Sequence, residues 1–221
     1  MSAELPGSTW RVGEALGDSP ESWPVTSTER GYDGSFVSLR VDTVDGPDGA
    51  SFERAVVEHP GAVGVLAMDD EGRVLLLSQY RHAVGRRLLE LPAGIRDVSG
   101  EDPVLAAARE LAEEASVQAS DWRVLLEIYS SPGVLDEHWL IYLARGLEVA
   151  EDSDYVRVHE EADMSAVWVP LDEAVRAVLD RRLCDSMAAA ALLAAHALAG
   201  GGVGGGVSGN GLDALDEVTL G

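Results

Sequence analysis

Residues 102–117 read Asp-Pro-Val-Leu-Ala-Ala-Ala-Arg-Glu-Leu-Ala-Glu-Glu-Ala-Ser-Val, and no other stretch constrains the chain as tightly. Asp102 is a polar N-cap and Pro103 suits the first helical position, where its missing N–H is not needed. Residues 104–115 are good helix formers, so the spacing predicts a helix there. On that helix Glu110, Glu113 and Glu114 fall at i, i+3 and i+4, which puts three carboxylates on one face. Three close like charges are costly, and a cation explains the cluster better than chance does. An all-oxygen donor set suits Mg²⁺ or Mn²⁺ with several retained waters. The competing reading is a solvated acidic face, which gains weight in a chain with 39 Asp and Glu.

The surroundings of this helix are strand-like. Residues 36–44 alternate in polarity, and the GPDG tract at 46–49 supplies a turn before 51–59, so a hairpin is expected. Residues 62–68 and 73–79 are apolar runs joined by Asp69, Asp70, Glu71 and Gly72, which reads as a second hairpin of buried strands. Strands are also expected at 122–129, 139–144 and 166–169. A helix follows Pro170 over 171–179, and Asp185 or Ser186 caps a last, Ala-rich helix that stops at Gly200. Mixed strands and helices argue for a single-domain α/β or α+β sandwich.

Charge and composition narrow the function. Sixteen basic against 39 acidic residues give a net charge of -23, which repels phosphate backbones and anionic lipid, so neither nucleic acid nor membrane is expected as a partner. The basic residues are all Arg, which excludes a P-loop Lys, a Schiff-base Lys and a kinase-type Lys. Any phosphate must be held by Arg, backbone N–H groups or a metal. Cys184 is the one cysteine, so no intrachain disulfide forms and a cytoplasmic location is expected. The 5 His residues show no metal spacing and read as surface or satisfied core groups.

The segment beginning at Gly94 carries a resemblance. Gly94, Glu101, Arg109, Glu110, Leu111, Glu113, Glu114 and Val117 match the Nudix box, G-x5-E-x7-R-E-U-x-E-E-x-G-U with U aliphatic. Two departures stand out: one extra residue lies between Gly94 and Glu101, and Ser116 replaces the last Gly. The exchange puts the shape of the helix exit in question more than the metal ligands. Around the box, EHPGAV at 58–63, QYRH at 79–82, ELPAG at 90–94 and SPGVLDEH at 131–138 resemble the ADP-ribose pyrophosphatase subfamily of Nudix hydrolases, in which Pro132 occupies a characteristic position.

The resemblance implies an α/β Nudix-type α/β/α sandwich with a mixed sheet, preceded by a β-rich arm. It also implies Mg²⁺-dependent hydrolysis of ADP-ribose to AMP and ribose 5-phosphate. Glu110 and Glu114, with Glu113 and the backbone carbonyl of Ala93, would hold the ions. Arg109 and Glu101 would pair structurally, and Gly94 would shape the loop. Glu161, with Glu160 second, would activate the water from the segment HEEAD. Arg54, Arg81, Glu90 and Pro132 would bind substrate. The expected organisation is a flexible arm over 1–22, a β region over 23–58 that forms a homodimer, the hydrolase domain over 59–199 and a Gly-rich flexible tail over 200–221. The alternatives are a pyrophosphatase acting on another nucleoside diphosphate sugar or a dinucleotide, and a sensor that binds ADP-ribose without cleaving it.

Overall fold

The structure is a computed structural model that describes residues 7, 10–150, 163–200 and 211–220. Its central layer is a five-stranded sheet built on β4 (Ala62–Ala67), the most buried strand. β4 pairs antiparallel with β7 (Ala93–Ile95) on one side and parallel with β9 (His138–Val149) on the other. β9 continues antiparallel to β8 (Val117–Tyr129), and the order β11-β8-β9-β4-β7 ends on β11 (Glu217–Val218).

Period-two alternation along buried strands sends successive side chains to opposite faces. Val63, Val65 and Ala67 of β4, with Tyr142 and Ala144 of β9, pack with Val104, Ala107 and Leu111 of α1 (Pro103–Ala115). Leu66, with Ile141 and Leu143, joins the cluster formed by α2 (Leu171–Leu179) and α3 (Ser186–Ala199). Helices therefore cover both faces of a mixed sheet, as the expected α/β architecture requires.

Two expectations are corrected. The apolar runs at 62–68 and 73–79 are buried, but they do not form a two-stranded ladder. Both edges of β4 are taken by β7 and β9, so β5 (Arg73–Arg81) turns away after a single bridge from Met68 to Val74. It pairs instead with β6 (Arg86–Glu90) and β10 (Ser165–Pro170) in a second, antiparallel sheet. The tail is not free over its whole length either. Leu212 is 2% exposed in the core cluster of α2 and α3, and β11 adds to the edge of β8 opposite Trp122 and Arg123. Arg123 donates to the carbonyls of Asp213 and Leu215, and Arg145 pairs with Asp213 at 2.7 Å.

The N-terminal region is a third antiparallel sheet, β1 (Val25–Asp33), β2 (Ser38–Asp45) and β3 (Ser51–Glu58), with the expected turn at 46–49. It is anchored to the body where the Val57 N–H donates to the Val134 carbonyl and the Asp136 N–H donates to that of Val57. Residues 10–22 are exposed and carry neither helix nor strand.

Candidate active site

The acidic face of α1 is set by its two ends. At the start, Asp102 accepts the Val104 N–H as the expected N-cap. At the exit, Ser116 takes the left-handed conformation (φ 55°, ψ 38°) and donates its N–H to the Ala112 carbonyl, so it occupies the geometry that the box assigns to Gly.

β7 lies directly against this face. A Cβ on Gly94 would sit 2.0 Å from Glu110 Oε1, so the Glu110 carboxylate keeps this place beside Gly and would have to swing away from any larger residue. The Ala93 N–H donates to Glu114 Oε2 at 2.9 Å, and Glu114 is only 7% exposed. Arg109 spans the remaining acids. It reaches Glu101 with Nε and Nη2 at 3.3 and 3.2 Å, and its Nη1 lies 2.8 Å from Glu110 and 3.3 Å from Glu113. The Glu101 hydrogen bond, with Glu110 beside it, raises the Arg109 pKa above its ordinary value against the opposing effect of burial. The expected Glu101–Arg109 pair is present, and Arg109 also neutralises part of the acidic face.

These groups open on a cavity of about 870 Å³. Ala93, Gly94, Arg109, Glu110, Glu113 and Glu114 line it on one side, and Arg81 contributes a cation. The Arg81 Nε and Nη2 grip the buried Glu90 carboxylate, with Nη2 at 2.6 Å from Oε2. Arg81 and Glu90 thus form a fork-to-carboxylate pair at the pocket wall. The pair raises the Arg81 pKa.

Not every expected residue meets here. Arg54 and Pro132 line a separate depression of about 500 Å³, together with Tyr129 and Val134. There the Arg54 guanidinium sits 4.4 Å from the centroid of the Phe52 ring. Glu160 and Glu161 lie outside the described residues. In the other direction, the pocket recruits Phe36, His59, Glu137 and Trp139, to which sequence reasoning gave no role. His59 and Glu137 stand inside EHPGAV and SPGVLDEH, so those motifs held the one available signal.

Among the described residues no three acidic, His or Cys side chains converge on one point as a ready metal cage. The donor set nevertheless fits a hard divalent cation in kind. Its side chains offer oxygen alone, they share one helix face, and the missing Cβ of Gly94 gives Glu110 room beside the backbone.

Comparison with known proteins agrees with this geometry. The NUDIX domain family profile matches residues 58–188. The chain is 49% identical over 172 residues to an ADP-ribose pyrophosphatase of Mycobacterium tuberculosis, covering 77% of this chain and 82% of that protein. It is 36% identical over 159 residues to the methanol dehydrogenase activator of Bacillus methanolicus, covering 72% and 84%. A crystal structure of an ADP compounds hydrolase superposes with a TM-score of 0.68 at 20% identity, covering 84% of this chain and 99% of that one, which speaks for the fold. The Gly94–Glu110 contact, the Glu101–Arg109 pair and a family match over more than half of the chain lead to one conclusion: this protein belongs to the NUDIX domain family, as a Nudix hydrolase similar to the ADP-ribose pyrophosphatases.

Proposed function

We propose that the protein hydrolyses the pyrophosphate bond of ADP-ribose, releasing AMP and ribose 5-phosphate, with Mg²⁺ (or Mn²⁺) as cofactor. The observation that carries this reading is the acidic face of α1 opening on the large pocket, with Glu110 seated against Gly94. The 49% identity to an ADP-ribose pyrophosphatase supports the substrate.

Glu110, Glu113, Glu114 and the Ala93 carbonyl would hold the cation, which supplies charge neutralisation at the pyrophosphate and a lowered pKa for an attacking water. Glu110 and Glu113 would turn from Arg109 to hold the cation, and Arg109 would keep its grip on Glu101. Arg81, held by Glu90, presents a guanidinium to the phosphates, as a chain without Lys requires. Glu161 or Glu160 takes the proton of the water. Arg54 and Pro132 line their own depression, and the reading gives them the far part of the substrate. The β1–β3 region forms a homodimer interface, and the protein works in the cytoplasm without nucleic acid or membrane.

The test is AMP release from ADP-ribose with and without Mg²⁺, beside a panel of nucleoside diphosphate sugars and dinucleotides. Strong Mg²⁺-dependent turnover of ADP-ribose above the panel is expected. The Glu110→Gln/Glu114→Gln double variant should lose it by about 10³-fold or more, the scale of losing a metal-centred electrostatic term, while circular dichroism stays unchanged. Near-normal activity in that variant would sink the metal assignment.

A further inference from the structure

His59 and Glu137 come from distant segments and meet in the pocket that the acidic face of α1 also lines. His59 Nδ1 accepts the Gly61 N–H at 3.1 Å, so the neutral ring carries its proton on Nε2. That Nε2 lies 3.5 Å from Glu137 Oε1, while Ser130 Oγ donates to Glu137 Oε2 at 2.5 Å. The two side chains are only 8% and 15% exposed, and a carboxylate so enclosed requires donors. The segments are tied a second time, since the His59 backbone N–H donates to Asp136 Oδ1 at 2.8 Å. Phe36 closes the other side of the imidazole edge-on, with ring centroids 6.2 Å apart.

Resting on the reading that this pocket takes a nucleoside diphosphate sugar, we propose that His59 and Ser130 are positioning residues that fix the Glu137 carboxylate as the acceptor for hydroxyl groups of the sugar. Glu110, Glu113 and Glu114 are committed to charge at the phosphates. A sugar offers neutral O–H donors, and it needs an acceptor that is already oriented. A carboxylate hydrogen-bonded at Oε2 by Ser130 and faced at Oε1 by the imidazole 3.5 Å away loses little freedom on binding and still has lone pairs to accept with. Such a group contributes to ground-state and transition-state binding alike, so its loss raises KM and leaves kcat nearly unchanged.

Two substitutions separate this role from a merely structural one. His59→Asn keeps an acceptor near the Nδ1 position for Gly61 but loses the donor toward Glu137. His59→Gln keeps a donor near the Nε2 position and loses the acceptor. With ADP-ribose and Mg²⁺, His59→Asn should raise KM about tenfold with kcat within about twofold, and His59→Gln should stay near wild type. Glu137→Gln should behave like His59→Asn, and the double variant should be no worse than Glu137→Gln alone. The opposite order, Asn active and Gln impaired, or additive effects in the double variant, would overturn the proposal.

Absence of wild-type turnover would refute the functional reading instead. The anchoring is then judged on the ring itself, by nitrogen NMR of His59. The Nε2–H tautomer with a proton shift that moves in Glu137→Gln supports it, and the Nδ1–H tautomer refutes it.

Discussion

Shortening Leu212 to Ala should destabilise the whole hydrolase domain, although Leu212 follows the Gly-rich run near the end of the chain. The side chain is 2% exposed and belongs to the core cluster of α2 and α3. Removing a buried Leu side chain loses its transfer free energy and leaves a cavity, together about 2–5 kcal/mol. For a chain of this size each kcal/mol shifts Tm by about 2–4 °C, so a fall of about 4–20 °C is expected. The polar contacts of the same segment contribute much less. Asp213 is 60% exposed at its side chain where it pairs with Arg145, and exposed pairs of that kind are worth about 0–1 kcal/mol. Asp213→Ala therefore serves as the control, with a shift of only a few degrees at most. The assay is thermal unfolding of the full chain, combined with limited proteolysis of residues 211–220. If Leu212→Ala leaves both Tm and the cleavage rate unchanged, or if Asp213→Ala costs as much, burial of Leu212 is not what docks this segment.

Three further outcomes follow from single positions. Gly94→Ala places a methyl group where the Glu110 carboxylate sits, 2.0 Å from Oε1, so turnover should fall by about 10²-fold or more from the displaced carboxylate, with the far-ultraviolet spectrum retained. Ser116→Gly relieves an L-residue of the left-handed conformation and should stabilise by about 0.5–1 kcal/mol, the strain relief exceeding the entropy of the added Gly, read as a higher urea midpoint with unchanged activity. Asp185 is half-buried at the N-cap of α3, and desolvation raises its pKa above the ordinary carboxylate value in spite of the Ala188 N–H. Its folded form binds more protons than its unfolded form between the unfolded and the raised folded pKa, so its contribution to stability falls as pH rises through that window and is level above it. Asp185→Asn keeps the cap, and should flatten this part of the pH profile without lowering the urea midpoint at pH 7.

What was legible in the sequence depended on how local its cause is. α1 was readable because Asp102, Pro103 and the run of helix formers are contiguous; the shape of its exit was not, since Ser116 stands where the box has Gly and only the fold shows it left-handed. The Glu101–Arg109 pair was within reach through the resemblance, with Glu101 just before α1 and Arg109 on it. The pairing of β4 was not, because its parallel partner is β9, far along the chain, and a strand buried on both faces carries no mark of which neighbour it takes. The docking of residues 211–220 was hidden for a related reason. Its acidic composition suggests a solvated tail, and the decision rests on the buried Leu212, with Leu215 and Val218 packed beside the core, and on Arg123 and Arg145 presented by β8 and β9. His59 and Glu137 carried no periodic signal of any kind, and only the fold brings them together.

Arg109 changes how the acidic face should be weighed. Read from spacing alone, three carboxylates on one helix face demand a cation from outside. In the fold Arg109 already bridges Glu101, Glu110 and Glu113, so much of that repulsion is offset within the protein and the cluster alone is weak support for a metal. The stronger support lies in β7. An internally compensated surface network has no need to exclude a Cβ at Gly94, nor to enclose Glu114 against the Ala93 N–H beside a pocket of about 870 Å³. Those two features hold specific carboxylate oxygens next to backbone at a cavity wall, an all-oxygen donor set that would suit a hard cation. Arg109 thus has a double effect: it steadies the loop through Glu101, and it compensates the charge of Glu110 and Glu113, the residues that would hold the ion.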